Sequence, residues 1–480
     1  MNNAVIDTTA SPGFAELDSA PAPLRYKPSR FNVRAQAPDG SLILYNTYSG
    51  HCCIVPERGV QSVLRYLSQR GTEGALDSLG QYLLKNGHLI DANLDEHRMW
   101  DVFYGRQHYR PDMLNLVLFP SEDCNFRCVY CAQPFRQGVM EPHVRAAICK
   151  YVESKAPKLT LLGVDWFGGE PLLGYEVIAE LAPFFQQIAA RHEINYNTRI
   201  TTNAYLLTPE RARAMIGWGL HSFQITVDGL AKDHNRSRPL VDGGPTFERI
   251  MDNLTAMHEI SEPFEVRLRV NVSQDNADTL DGYFEMVNGR LGHDPRFKIA
   301  FNVVGRWGSA NDDQLHLVDK DTVGCRIGLR QRAQGAGLPI EYSMETIRGS
   351  MRCFSTTVGG MIVGVDGRLL KCTNHGAFPE ALNHIGRLLD DGTLEISESV
   401  NLRWIAPYYQ YDQRCRNCFY LPACEGGLIC PARRVRGMEP ECPEEKKHIR
   451  SVLLQYWRER TAAGGNSTVR LSMVQSPQLA

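Results

Sequence analysis

The chain has no run of eighteen or more apolar residues, which excludes an ordinary transmembrane helix. It has almost no net charge, 52 Lys and Arg against 54 Asp and Glu, formally −2. So even a balance gives no field for nucleic acid or an anionic membrane, and neither is expected as a partner. Met1 to Pro23 lacks a basic region followed by an apolar core, so no secretory signal is expected and the protein is read as cytoplasmic. What remains, 480 residues at 43% hydrophobic and 22% charged, is the composition of a globular protein of about two or three domains.

Cysteine, by contrast, is abundant: fourteen residues, seven of them between Cys353 and Cys442. In a reducing compartment such clustering favours metal over disulfides. The tightest group is Cys124-x₃-Cys128-x₂-Cys131, directly after the apolar run Leu114–Phe119. No fourth Cys or His follows within this loop. Three thiolates hold three irons of a cubane cluster and leave the fourth iron without a protein ligand. A cluster used only for electron transfer normally has four cysteines, so the triplet suggests an iron that binds something else. Zinc, or three reduced structural cysteines, are the alternatives; zinc motifs usually add a second ligand pair further on.

With Tyr130 just before its last cysteine, the triplet resembles the cluster loop of the radical S-adenosylmethionine (SAM) enzymes. The resemblance implies that the open iron chelates SAM and that reduction releases a 5′-deoxyadenosyl radical, with the protein supplying position and exclusion of water. It also implies an external electron donor of the flavodoxin or ferredoxin type.

Residues 1–28, rich in Ala, Pro and Ser, are read as a disordered arm. Strand-like runs at Phe31–Ala35, Leu42–Tyr45 and Cys52–Val55 follow, then helical periods over Val60–Arg70 and Leu76–Asn86 and a short strand at His88–Ile90. Together they suggest a winged-helix-like unit over 29–105. Its second helical segment has no Lys or Arg until Lys85, which argues against DNA. A sheet edge in such a unit can accept an extended peptide, and the region resembles the peptide-recognition elements of peptide-modifying radical enzymes; a purely structural cap is the other reading. Cys52 and Cys53, adjacent on a strand, face opposite sides and read as core.

Between 112 and 315 strands and helices alternate. The strands are Leu114–Phe119, Leu161–Phe167, Asn197–Thr202, Ser222–Val227, Val266–Val272 and Lys298–Val304. Six units imply an α/β fold, a partial (β/α)6 TIM-like barrel with its chemistry at the strands' C-terminal ends. By resemblance, Gly168-Gly169-Glu170-Pro171 binds the SAM amino group, and Thr226 and Arg238 reach its methionine or ribose. Asn203 and Arg269 resemble ribose- or adenine-side positions, and Tyr130 belongs to the same cofactor set. Ordinary turn or barrel structure is the alternative for each. No catalytic residue is singled out.

From 316 to 450 the cysteines at 353, 372, 415, 418, 424, 430 and 442 resemble the SPASM extension, which houses two auxiliary [4Fe–4S] clusters, three in all with the first. The family usually has three residues between its fifth and sixth cysteines, whereas five separate Cys424 from Cys430. The resemblance assigns Cys415, Cys418, Cys424 and Cys442 to an outer cluster, and Cys353, Cys372 and Cys430 to an inner one. The fourth inner ligand is then Cys325, less plausibly Cys149, or a substrate thiolate. Two zinc sites would use the same residues. A tail over 462–480 is read as disordered.

The implied function is a maturase of the RiPP type that installs a thioether or other crosslink in a peptide or small protein subunit. A sulfatase-maturating, formylglycine-generating enzyme is the nearest rival; the N-terminal unit and Thr373, where an acidic residue is expected, speak against it. A small-molecule dehydrogenase of the same family would not need that unit. A non-catalytic iron–sulfur electron carrier or scaffold is the alternative of another class.

Overall fold

The structure, a computed structural model, describes residues 25–68, 72–136, 138–292, 294–306, 311–318, 322–340, 353–374, 379–410, 412–426, 430–437 and 442–462. Most of the expected disordered arm and nearly all of the tail lie outside these residues. The exception is Arg25–Pro28, expected to be disordered but observed as strand β1. Arg25-Tyr26-Lys27-Pro28, two cations around a tyrosine and then a proline, carry no strand signal of their own. They are ordered by pairing on both sides, with β5 (Thr72–Glu73) and β6 (Leu89–Asp91).

A second antiparallel sheet has the order β2–β3–β4, from Asn32–Gln36, Leu42–Asn46 and Cys52–Val55. One of its faces meets α1 (Glu57–Ser68) and α2 (Ser78–Lys85) through Leu42, Leu44, Cys53, Val63 and Leu83. The other carries Val33, Ile43, Tyr45 and Cys52 onto Tyr420, Leu453 and Tyr456 of the C-terminal region. Cys52 and Cys53 therefore do point to opposite sides. Helix α3 (Glu96–His108), not expected from the sequence, buries Trp100, Tyr104 and His108 at a spacing of four and starts at the N-cap Asp95.

The large sheet has ten strands, in the order β12–β11–β10–β9–β8–β7–β13–β14–β15–β16. Its first six, β7 (Met113–Ser121), β8 (Leu161–Gly168), β9 (Asn195–Thr202), β10 (Ser222–Thr226), β11 (Glu265–Val272) and β12 (Phe297–Val303), are parallel. The expected alternation of strand and helix is realised by α4 (Pro142–Lys155), α5 (Tyr175–Arg191), α6 (Pro209–Gly217), α8 (Phe247–Ala256) and α9 (Leu280–Leu291). An unexpected short helix, α7 (Ala231–Ser237), precedes α8, and α10 (Thr322–Gly335) follows the last barrel strand.

β13 (Gly360–Val363) turns through Asp366-Gly367, an Asp-Gly pair of the kind that favours tight hairpin turns, into β14 (Arg368–Leu370). Its place was not foreseen. β13 pairs in parallel with β7, so the cysteine-rich region covers what would otherwise be an open barrel edge. β15 (His384–Leu388) and β16 (Leu394–Ile396) extend it. Among the described residues, no helix is long and apolar enough to cross a membrane.

Candidate metal and cofactor centre

β7 delivers the chain to the cysteine loop at the C-terminal end of the sheet, and the loop is gripped from two sides. At its root, a Cβ on Gly168 would lie 2.3 Å from the Ser121 carbonyl oxygen, and one on Gly169 would lie 2.3 Å from that of Asp123. The Gly169 N–H donates to the Ser121 carbonyl (3.1 Å) and the Glu170 N–H to that of Asp123 (2.8 Å). The two glycines, expected by resemblance to serve the SAM amino group, also make room for the protein's own backbone. Gly169→Ala is expected to cost about 3 kcal/mol or more, at the upper end for overpacking because backbone cannot yield; denaturant unfolding would measure it. On the far side, Arg127 N–H donates to the Pro239 carbonyl, Val129 N–H to that of Ser237 and Val241 N–H to that of Asn125, each at 2.9 Å. Phe126 is fully buried between the two segments.

Cys124, Cys128 and Cys131 are half-buried. The Phe126 N–H donates to Cys124 Sγ (3.3 Å) and the Gln133 N–H to Cys131 Sγ (3.5 Å), as backbone does toward metal-bound thiolates. Burial pushes the Cys124 and Cys128 thiols up to about 12 and raises Cys131; Cys124 is raised further by Glu170 and by the other two cysteines. Three close, desolvated thiols gain most from a cation that removes their protons. This donor set fits a cubane held by three sulfurs.

Glu170 is buried, and burial raises its pKa. Its carboxylate accepts from Leu172 N–H (2.9 Å), the Thr202 hydroxyl (2.6 Å) and Asn203 N–H (2.7 Å), fixing the end of β9 to that of β8. The carboxylate is therefore satisfied within the protein. The Asn203 side chain donates to Asn125 Oδ1 (2.8 Å) and lies 3.9 Å from Cys124 Sγ.

Tyr130 and Arg238, both expected to serve the cofactor, meet each other. The Tyr130 hydroxyl donates to Asp228 Oδ2 and accepts from Arg238 Nη1 (2.7 Å) and Asn271 Nδ2 (2.9 Å). Arg238 lies over the Phe126 ring at 5.6 Å, and its charge opposes burial at Cys128. Asp228 also accepts from Asn271 N–H (2.7 Å), and its own carbonyl accepts from Asn276 Nδ2 (2.9 Å). Asp228 and Asn271 were not singled out from the sequence. The available signal was a carboxylate at the end of a buried strand, before Gly229 at φ +109°. Thr226, buried, ends β10, and Arg269 on β11 donates to Asn271 Oδ1 (2.9 Å). A cavity between the loop and the ends of β10, β11 and β12 is lined by Tyr130, Asp228, Asn271, Asn276 and His316.

The C-terminal cysteines fall into two groups. Burial pushes Cys372 up to about 12, with further contributions from Cys353 and Cys430. Burial likewise pushes Cys415 up to about 12, with contributions from Asp412, Cys424, Cys442 and Cys418. Cys325, on α10, packs half-buried on the barrel core, and Cys149, on α4, lies near Glu180 and Glu153. Burial raises Cys353 most, with smaller contributions from Cys430 and from Glu425, which also pairs with His108 (3.2 Å). The N-terminal unit abuts the four-cysteine group: Trp100 and Tyr104 pack with Leu421 beside Cys415 and Cys418, and the Thr47 hydroxyl donates to the Phe419 carbonyl (2.6 Å).

Residues 118–278 match the Radical SAM superfamily, and this stretch is a radical SAM domain. An AdoMet-dependent heme synthase from Methanosarcina barkeri is 24% identical over 164 residues, 34% of this chain and 44% of that protein. A GTP 3',8-cyclase from Pectobacterium atrosepticum is 25% identical over 205 residues, 40% of this chain and 55% of that protein. The chain spans about half the length of these curated relatives. The structure of native anSMEcpe with bound AdoMet and Cp18Cys peptide superposes with a TM-score of 0.53 at 14% identity, over 74% of this chain and 99% of that one, a likeness of fold.

Proposed function

We propose that this chain is a radical SAM enzyme that modifies a peptide or small protein, most simply by a thioether crosslink from a substrate cysteine. The observation that carries the proposal is the convergence of Cys124, Cys128 and Cys131 beside a polar cavity, with no fourth Cys or His in their loop. A [4Fe–4S] cluster on these sulfurs, with SAM on its open iron, would supply a 5′-deoxyadenosyl radical for hydrogen abstraction.

The chain's own residues hold and orient. Gly168 and Gly169 seat the loop root; Tyr130, Asp228 and Arg238 lock its far end to β10 and β11. Asn203, Thr226, Arg238 and Arg269 are the proposed SAM-side groups, the arginine forks being suited to a carboxylate. Cys353, Cys372 and Cys430 would hold an inner auxiliary cluster, with Cys325 or a substrate thiolate as fourth ligand. Cys415, Cys418, Cys424 and Cys442 would hold an outer one. Residues 29–105 would bind the peptide along a sheet edge, 112–315 act as the catalytic barrel and 316–450 as the auxiliary domain.

Coexpression with a short cysteine-bearing peptide encoded beside this gene tests the reading. Mass spectrometry should show a loss of two hydrogens per crosslink, absent with Cys124→Ala. A mass change matching an aldehyde would make formylglycine formation the activity. No 5′-deoxyadenosine from reduced protein and SAM would contradict the proposal.

A further inference from the structure

Away from these cysteines, the N-terminal unit buries a second set of soft donors. His51 precedes β4, Cys53 lies within it, and His88 immediately precedes β6. His51 and Cys53 are 5% exposed and His88 is 0% exposed. One donor atom from each lies within 4.8 Å of the others. The reading of Cys53 as core packing alone leaves this juxtaposition unexplained.

The hydrogen bonds around His88 fix its tautomer. The Asn32 side-chain amide donates through Nδ2 to the His88 carbonyl (2.8 Å), so its Oδ1 faces His88 Nδ1 (2.9 Å). Asn46 Nδ2 also donates to that Oδ1 (3.0 Å), confirming it as an acceptor. His88 therefore carries its hydrogen on Nδ1 and presents the Nε2 lone pair to His51 Nδ1, 2.8 Å away. A metal-bound histidine is held in this way, its outer N–H given to a carbonyl oxygen. His51 has a corresponding outer partner, with Nε2 3.3 Å from the Tyr82 hydroxyl.

We infer that His51 Nδ1, His88 Nε2 and Cys53 Sγ form a structural site for a single zinc ion, pinning the edge of the β2–β3–β4 sheet to β6 of the neighbouring sheet. Two imidazoles and a thiolate are zinc's preferred donors. At Zn–N distances near 2.0 Å the two nitrogens need separate by only about 0.5 Å. Binding displaces the Cys53 thiol proton and moves the His51 hydrogen to Nε2, toward Tyr82; a water takes the fourth corner. The site is independent of the radical chemistry proposed above.

The full-length protein, anaerobically reconstituted with iron and sulfide and dialysed against zinc chloride and then buffer, tests this. The expected result is about one zinc per chain with a zinc K-edge absorption shell of one sulfur and three nitrogen or oxygen atoms, two from histidine and one from water. Cys53→Ser and His88→Gln should each lower zinc affinity by about tenfold or more with iron content unchanged. A shell of four sulfurs would place the zinc on the cluster cysteines and overturn the assignment. So would absence of zinc from the wild type, which would leave a neutral His51–His88 hydrogen bond beside a bystander thiol. Should a variant lose its iron through misfolding, the wild-type shell decides alone.

Discussion

Cys128→Ser should bring SAM cleavage by the reconstituted protein to background while leaving the fold in place. Serine matches the thiol's shape, and the loop around residue 128 is held by backbone: Arg127 and Val129 N–H groups donate to Pro239 and Ser237, and Cys131 N–H to the Cys128 carbonyl (3.0 Å). What serine lacks is a soft anion. Its hydroxyl does not ionise near neutral pH as a metal-bound thiol does, so the loop keeps two sulfurs where a cubane with one open iron requires three. Iron content should fall by about four atoms per chain. Cys149→Ser, on the outer helix α4, should change neither iron nor 5′-deoxyadenosine. Equal losses in both variants would show that the effect is not ligation.

The second large effect is on stability. Glu122, at the root of the cysteine loop, pairs with Arg368 of β14, their side chains 2% and 6% exposed, and also accepts from Val365 N–H (3.1 Å). This buried pair joins the loop to the hairpin that covers the barrel edge. Glu122→Ala leaves a buried guanidinium whose remaining ion-pair partner among the described residues is Asp366 (2.8 Å), and should destabilise by about 3–5 kcal/mol. Glu122→Leu combined with Arg368→Leu should recover much of that, because the desolvation of both charges is removed together. Unfolding in denaturant, read with the protein free of iron, gives both values. If the double variant is no more stable than Glu122→Ala, the loss comes from packing rather than from charge.

The barrel was legible because short strands with continuous or alternating apolar residues, such as Leu161–Gly168, are separated by helices with their own stops, as at Pro209–Gly217, and because the motifs fall at strand ends. The division of the C-terminal cysteines into two groups was implied by the resemblance and not by local spacing, since Cys353 and Cys372 lie far along the chain from Cys430. Tertiary choices were not legible. β1 is four residues, Arg25–Pro28, whose order depends on two partners. β13 reads as half a hairpin, and nothing local says that it pairs with β7. Gly168 and Gly169 were expected by resemblance to serve SAM, and nothing local says that the backbone of residues 121–123 also comes close to them. α3 was missed although Asp95 and the 100/104/108 spacing announce it. Asp228, just past the strand Ser222–Val227, and Asn271, inside Val266–Val272, were given no role of their own, because a buried carboxylate's importance depends on the Tyr130 hydroxyl, 98 residues away. His51, Cys53 and His88 met only on folding.

The central claim is that the 124/128/131 sulfurs hold an iron able to bind SAM. Electron paramagnetic resonance of the anaerobically reconstituted, dithionite-reduced protein tests it most directly. The account predicts a [4Fe–4S]⁺ signal whose g values shift when SAM is added, with the shifting component missing from Cys128→Ser. A wild-type spectrum indifferent to SAM, or a SAM-dependent shift retained in Cys128→Ser, would contradict it.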